Sequence, residues 1–340
     1  MTQPRLPGSS RPASRRINRR RAAAAGMAAL GAVALGGASG AGRRALAQAI
    51  DPLIGAGGAG GWVEPPVLLS SDRALDVVLD ARPVPAAGLG RMGYAGRIPG
   101  PTLRFRPGDT VRVLLRNNLG GDQTNLHVHG LHVSPQGNGD NVFVTLDNGQ
   151  NFQYAYAIPA NHPGGTFWYH PHHHGDAQEQ VGAGLAGAIV IDGALDAVPG
   201  VAGLPERMFV LQGPETRAGE SIYTVNGAAN PEAAIRPGQT QRWRLANMSA
   251  NSHFHLQLDG HQFHVIANDG NALPETRPVD TLMLAPGQRA DALVQAAEPG
   301  RYALRSLAFG EGGQAQPAFP VATLVVAGAP MEPQPLPTAL

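Results

Sequence analysis

The stretch RFRPGDTVRVLLRNNL, residues 104–119, recurs 130 positions later as AIRPGQTQRWRLANMS, residues 234–249. Arg, Pro, Gly, Thr, Arg and Asn stand in the same order and spacing in both copies. The correspondence continues outward, because LHVHG at 126–130 aligns with LQLDG at 256–260 at the same offset. Self-similarity that persists over about 90 residues predicts a duplicated domain.

Each copy consists of short strand-like runs between Gly and Pro turns. Residues 111–115 and 126–133, for example, alternate in polarity or are continuously apolar. No stretch longer than about ten residues beyond the N-terminal segment keeps the 3.6-residue period of a helix. The pattern predicts an all-β sandwich or barrel in each copy. We place the domains at 62–195 and 203–329, followed by a Pro-rich, linker-like tail at 330–340.

The N-terminal segment has the composition of an export signal. Residues 1–47 contain nine Arg and no acidic residue, with an Arg pair at 15–16. A weakly apolar stretch follows at 22–38, and Ala-Leu-Ala at 45–47 has the small-x-small pattern of a cleavage site. The segment resembles a twin-arginine signal and predicts a periplasmic or extracellular protein. Its apolar part is shorter than the ~20 residues of a membrane span, so we expect none in the mature chain.

Charge and Cys content exclude several classes of function. Without the predicted signal, 17 of the 26 Arg remain against 25 acidic residues, which gives a net charge of −8. An acidic exported protein has no electrostatic basis for binding nucleic acid. The sequence contains no Cys, which excludes disulfides, thiol catalysis and any metal site that requires a thiolate within these residues.

Two His-x-His pairs stand out among the twelve histidines, His127 with His129 and His170 with His172. On a strand, residues i and i+2 point to the same face, roughly 6.5 Å apart, so each pair offers two neighbouring imidazoles. If the two strands meet, four imidazoles converge. Neutral imidazole is the commonest metal ligand, and an all-nitrogen site suits Cu, Zn or Ni.

The duplication provides an internal control for this interpretation. In the second copy the first pair is replaced by Gln257 and Asp259, and the second pair by Arg305 and Leu307. The scaffold therefore recurs without the histidines, which indicates that the fold does not need them. We interpret the four histidines as metal ligands.

The other histidines carry weaker signals. Three neighbours of the pairs either orient the ligands or lie in solvent: His132, His173 and His174. His162 precedes a Pro-Gly turn and is predicted to be a loop residue. Four in the second copy are predicted to be half-buried strand residues without a complete metal site: His253, His255, His261 and His264.

Several motifs together resemble the bacterial multicopper oxidases of the laccase-like kind. NLHVHGLHVSPQGNGDNVF at 125–143, HPGGTFWYHPHHHG at 162–175 and QVGAGLAGAIVIDG at 180–193 resemble the first cupredoxin domain of that family. LQLDGHQFHVIANDG at 256–270 and LAPGQRADALVQ at 284–295 resemble its ligand-poor middle domain. The resemblance implies an all-β fold of two tandem cupredoxin-like Greek-key β-sandwich domains.

The resemblance also implies a role for each paired histidine. His127 matches a type 2 copper ligand, and three others match type 3 ligands: His129, His170 and His172. They would form half of the trinuclear copper cluster that reduces O2 while phenols, related organic compounds or metal ions are oxidised. O2 and a small reducing substrate are therefore the expected partners.

The late motifs of the family, of the HPxHxH and HCHxxxH kinds, do not occur among these 340 residues. In the family they belong to a third domain that also carries the Cys-bound type 1 copper. We therefore expect a partial cluster, an isolated chain without oxidase activity, and either a fragment, a degenerate paralogue or a split protein completed by a separate third-domain polypeptide.

Two alternatives belong to other functional classes. One is a non-enzymatic exported copper-binding protein with a cupredoxin-like scaffold. The other is a mononuclear metal hydrolase, which the sequence favours less because neither His-x-His motif contains an acidic residue to act as a base. Asp140 and Asp176 are only nearby in sequence.

Overall fold

The computed structural model describes residues 61–85, 91–217, 220–310 and 315–340. The export signal predicted at 1–47 lies outside the described residues. Within them, no helix has the length and apolar character needed to cross a membrane.

The first part of the described chain forms two sheets that enclose one core. Its elements are β1 (Val67–Leu69), β2 (Ala74–Pro83), β3 (Met92–Tyr94), β4 (Thr102–Phe105), β5 (Thr110–Asn117), β6 (His127–His129), β7 (Asn151–Ala157), β8 (Gly165–His170), α1 (Ala177–Ala183), β9 (Gly187–Ile191) and a 3₁₀ helix (Ala194–Ala197). The strand orders are β1-β4-β9-β8-β6 and β3-β2-β5-β7. Buried residues of both sheets, such as Val113 and Ile189, share one apolar cluster.

The second part forms another pair of sheets. Its strands are β10 (Glu206–Arg217), β11 (Glu220–Val225), β12 (Glu232–Ile235), β13 (Thr240–Asn247), β14 (Phe254–Leu258), β15 (Phe263–Asn268), β16 (Asn271–Val279), β17 (Thr281–Leu284), β18 (Arg289–Gln295), β19 (Gly300–Ser306) and β20 (Phe319–Val326). The orders are β11-β10-β13-β18-β15-β16 and β12-β20-β19-β14-β17. We refer to these two parts as the first and second sandwich.

The duplication predicted from sequence recurs in the strand pairing. β2 pairs with β5 in parallel, as β10 does with β13, and β4 pairs with β9 in parallel, as β12 does with β20. The shared Asn explains part of the repeat. The Nδ2 of Asn117 donates to Asp122 O and Leu146 O, and that of Asn247 donates to Ser252 O and Leu284 O. Each Asn thus ties the end of its strand to two other segments of its sandwich.

One predicted strand is shorter than expected. The run at 126–133 was predicted to be a single strand, but β6 covers only His127–His129. Gly130 has a φ of +88°, which takes the backbone out of the extended conformation. The imidazoles of His127 and His129 therefore lie on the first and last residues of a short edge strand, next to a turn.

The two sandwiches pack against each other through an apolar layer. Trp168 and Val190 of the first lie in one cluster with Val210 and Met248 of the second. All eight residues of β13 are buried because its sheet is covered on both faces.

A buried charge network extends this contact. Asp291 accepts hydrogen bonds from Arg242 Nη2 at 2.6 Å, from Arg244 Nη1 at 2.8 Å and from Thr166 Oγ1 of the first sandwich at 2.6 Å. Glu206 accepts a further bond from Arg244 Nη2 at 2.7 Å. Asp291 and both Arg side chains are almost inaccessible to solvent, so each charge depends on the others for compensation.

The Pro-rich tail runs along the second sandwich. Met331 N donates to Pro237 O at 2.8 Å, and Thr276 N donates to Thr338 O at 3.0 Å. Leu340 packs near a small apolar cluster of the same sandwich. The domain boundaries and the linker role of this tail stay predictions.

Candidate metal centre

The paired histidines meet at the edge of the first sandwich. β6 and β8 are antiparallel, and their register places His127 opposite His170 and His129 opposite Trp168. Because the two histidines of β6 share a face, both turn toward the end of β8. The convergence expected from the two His-x-His pairs is therefore present for these strands.

Three of the four predicted ligands form a compact group. The ligand nitrogens of His127, His129 and His170 all lie within 4.8 Å of one another. The closest pair is His129 Nδ1 and His170 Nε2, at 3.4 Å. No carboxylate or thiol belongs to this group among the residues that the structure describes.

His172 lies beside the group but not within it. β8 ends at His170, and Pro171 follows, which cannot donate to a strand ladder. The expectation that His170 and His172 share a strand face is therefore wrong. The His172 ring is exposed, with its centroid 5.2 Å from that of His127 and 6.1 Å from that of His170. Its backbone N is held by Asn125 Oδ1 at 2.6 Å.

Asp140 orients the first ligand. One of its carboxylate oxygens lies 2.9 Å from His127 Nδ1, and the other accepts from Val128 N at 3.0 Å. A carboxylate accepts a hydrogen bond, so the ring carries its proton on Nδ1 and leaves the Nε2 lone pair for a metal. From the sequence, Asp140 was recognisable only as a residue near the histidine pairs. It lies thirteen residues after His127, in the loop that follows β6.

The third ligand is oriented in the same way by the backbone. His170 Nδ1 donates to Pro171 O at 2.8 Å, which leaves Nε2 unprotonated, with its lone pair on the side of His129. The ring also stacks on Trp168, with 4.0 Å between ring centroids and 24° between planes. His170 is therefore fixed on both its polar and its apolar side.

The environment keeps the imidazoles of His129 and His170 neutral. Burial, followed by the nearby Arg289 and the neighbouring imidazoles, lowers the pKa of His129 to about 4. Burial, followed by the nearby His127, lowers the pKa of His170 well below its usual range. Because a metal binds the neutral ring, protons do not compete for these two sites near pH 7.

Other histidines of the first sandwich have their nitrogens engaged elsewhere. His162 is buried, accepts from His132 N at 3.0 Å through Nε2, and donates to Pro163 O at 2.8 Å through Nδ1. It has no free nitrogen for a metal, consistent with a structural loop residue. His173 Nδ1 pairs with Asp176 at 2.7 Å.

The second sandwich contains the equivalent strand pair without imidazoles at the two matching positions. β14 and β19 are antiparallel, and their register places Gln257 opposite Arg305, where β6 and β8 place His127 opposite His170. Arg305 forms an ion pair with Asp259. Among the described residues, this sandwich contains no group of three or more metal-binding side chains.

Comparison with known proteins identifies the family. Two family models match the chain, over residues 85–195 and 165–329, and both are described as multicopper oxidase. The chain belongs to the multicopper oxidase family.

Individual relatives show how far the similarity extends. Multicopper oxidase mco of Staphylococcus haemolyticus is 29% identical over 219 residues, covering 60% of this chain and 48% of that protein. Cell division protein FtsP of Salmonella typhimurium is 30% identical over 222 residues, covering 59% of this chain and 46% of that protein. The chain thus spans about half the length of these curated relatives.

A solved structure confirms the predicted cupredoxin-like fold. The multicopper oxidase of Campylobacter jejuni, described as a metallo-oxidase, superimposes with a TM-score of 0.69 at 24% identity. The alignment covers 83% of this chain and 64% of that one. The all-β architecture of tandem sandwiches predicted from the repeat is therefore correct.

Proposed function

We propose that this chain binds copper through His127, His129, His170 and His172 and contributes half of the trinuclear cluster of a multicopper oxidase. The observation that carries the proposal is the group of three imidazoles whose ligand nitrogens lie within 4.8 Å of one another. His127 and His170 already have their other ring nitrogen bound to an acceptor. Such prior orientation lowers the entropic cost of closing a metal site.

The donor set fits copper. It consists of neutral imidazoles without a hard carboxylate ligand, a choice typical of Cu, Zn and Ni rather than Mg or Ca. When bound, copper supplies single-electron chemistry that links oxidation of a substrate to reduction of O2. The chain's own residues hold the imidazoles, exclude solvent from the faces of His129 and His170, and keep these rings unprotonated.

By resemblance, His127 takes the type 2 position and the other three histidines take type 3 positions. O2 and a small reducing substrate, such as a phenol, another organic compound or a metal ion, are the proposed reactants. These 340 residues contain no Cys. We therefore propose that the electron-accepting thiolate site and the remaining ligands come from residues outside them, on a third domain or a separate polypeptide.

Export completes the proposal. The Arg-rich segment with a small-residue cleavage pattern at 1–47 supports a periplasmic or extracellular location. Copper loading at such a site would follow or accompany export.

A second candidate is an exported copper-binding protein without turnover. It is favoured by the relative FtsP, which is named for cell division and not for oxidation. Both candidates share the copper site and differ in whether electrons pass through it.

Copper stoichiometry and O2 consumption test the proposal together. We expect the purified full chain to bind Cu(II) at the histidine group, to lack intense blue colour, and to consume no O2 with a phenol. Absence of copper binding would contradict both candidates. Blue colour or phenol oxidation by the isolated chain would contradict an external thiolate site. O2 consumption that appears only after addition of a third-domain polypeptide would favour the oxidase over the binding protein.

A further inference from the structure

The turn between β17 and β18, residues 285–288, brings the second sandwich into contact with the metal centre. Gly287 has a φ of +83°, and a Cβ built on it would lie 3.0 Å from His129 Cε1 and 3.5 Å from His129 Nε2. The same Cβ would lie 3.7 Å from Trp168. A residue 158 positions away in sequence thus forms one wall around a proposed ligand.

His129 depends on such walls more than the other ligands do. His127 and His170 each donate to an oxygen acceptor. In the part of the chain that the structure describes, the polar contact of the His129 ring is with His170 alone, at 3.4 Å. Its orientation is therefore set by packing between the Trp168 ring, 5.0 Å away between centroids, and the backbone of Gly287.

The turn is rigid enough to serve as a wall. Gly287 N donates to Asn247 O at 2.9 Å, and Asn247 N donates to Gln288 O at 3.0 Å. Gln288 also closes the turn on itself, because its Oε1 accepts from Ala285 N at 2.8 Å. The turn is thereby fixed to the end of β13, in the interior of the second sandwich.

Arg289 fastens this turn to the strand that carries His170. Its Nε donates to Thr166 O at 3.1 Å, its Nη1 donates to Gly287 O at 3.0 Å, and its guanidinium lies 5.5 Å from the centre of the Phe167 ring. The side chain is only 4% exposed. It also fills the space beside Gly130, where a Cβ would come within 2.8 Å of Arg289 Nη2.

We propose that Gly287 and Arg289 are positioning residues for His129, so that the sandwich without ligands sets the geometry of the metal site in the other. The proposal rests on the copper site proposed above. Gly287 leaves room for the imidazole at a distance where a side chain would force the ring to shift, and Arg289 holds the backbone of the turn and of β8 in register. The turn between β17 and β18, which connects the two sheets of the second sandwich, is thus a structural part of the centre.

The test is equilibrium Cu(II) binding by Gly287→Ala in the full chain, with Gly149→Ala as the matched control. Gly149 has a φ of +84°, but a Cβ on it would meet nothing within 4 Å. Both variants therefore carry the same backbone strain, and only one intrudes on His129. We expect Gly287→Ala to raise the copper Kd at least about tenfold and to change the Cu(II) EPR spectrum, and Gly149→Ala to leave both as in the wild type.

A double-mutant cycle tests whether the effect of Gly287→Ala on copper binding acts through His129. In a His129→Gln background, Gly287→Ala should change the Kd less than about twofold, because the ring it displaces is absent. Equal losses in both backgrounds would overturn the proposal, as would Gly287→Ala binding copper like Gly149→Ala while the wild type binds. Failure of the wild type to bind copper would instead overturn the proposed function.

Arg289→Lys covers the case in which Gly287→Ala does not fold. It keeps the positive charge but cannot keep both the bond to Thr166 O and that to Gly287 O. We expect a several-fold rise in Kd with a changed EPR spectrum. Wild-type binding and an unchanged spectrum in a folded Arg289→Lys protein would overturn the proposal.

Discussion

In the first sandwich the antiparallel pair β6–β8 sets His127 opposite His170, and in the second the equivalent pair β14–β19 sets Gln257 opposite Arg305. The backbone pairing is the same, but one pair carries a cluster of imidazoles and the other an ion pair between Arg305 and Asp259. The same strand pairing therefore supports either a group of imidazoles or an ion pair.

The difference also separates what each sandwich contributes. The first holds the imidazoles on the edge strand β6, at the end of β8 and in the loop that follows it. The second, without ligands of its own in the described residues, contributes the turn against His129 and most of the buried charge network. The second sandwich therefore contacts the site although it holds none of the proposed ligands.

The largest effect on stability is expected where the sandwiches meet. Asp291→Asn leaves Arg242 and Arg244 buried with less compensation, and the free energy of unfolding should fall by about 3 kcal/mol. Urea unfolding measures this change. A loss below about 1 kcal/mol would show that Glu206 and Asp196 compensate both guanidinium groups without Asp291.

The two repeats should respond alike where their scaffold is the same. Asn117→Ala and Asn247→Ala each remove two side-chain hydrogen bonds to backbone carbonyl oxygens, and each should cost about 2 kcal/mol in unfolding free energy. Asn118→Ala, an exposed neighbour bonded to Asp80, is the control and should cost less than about 0.5 kcal/mol. A large cost in only one repeat would break the structural equivalence.

The repeat thus allowed the fold to be predicted, because turn residues and the shared Asn recur at a fixed offset. The His-x-His pairs likewise predicted the cluster, of which three members are brought together. The exposed position of His172 could not be read from its spacing, since it depends on where β8 ends. Asp140 and Gly287 reach the site through loop and inter-sandwich packing, which no local pattern encodes.

Acid should weaken the charge network within a defined pH range. Burial alone raises the pKa of Glu206, but Arg244, followed by Arg104 and Arg242, outweighs it and lowers the pKa to about 2. A group with a folded-state pKa below its unfolded value stabilises fully above the unfolded value and loses this contribution as pH falls. The stabilisation by Glu206 should therefore disappear between about pH 4.5 and pH 2.

Glu206→Gln isolates that contribution. Between about pH 5 and pH 2, the wild type should lose roughly 2 kcal/mol more unfolding free energy than the variant, allowing for partial exposure of the carboxylate. Denaturant titrations at several pH values measure the difference. Parallel pH profiles for the two proteins would contradict the role given to Glu206.

The smallest effect is expected at the ion pair that replaces the imidazoles. Arg305 and Asp259 are each about two-fifths exposed, at 43% and 41%, so water screens their attraction. Asp259→Asn should change the unfolding free energy by less than about 1 kcal/mol and leave copper binding unchanged. A larger loss would mean that this ion pair contributes substantially to the stability of the second sandwich.

The central claim, that the imidazoles of the first sandwich and not those of the second bind copper, is tested by two matched double variants. His127→Gln with His129→Gln removes the His-x-His pair of β6, and His253→Gln with His255→Gln removes the pair at β14. Equilibrium dialysis of the full chain against Cu(II) compares them with the wild type. We predict a Kd raised by at least about a hundredfold in the first variant and unchanged in the second. Equal copper binding by both variants would contradict the account.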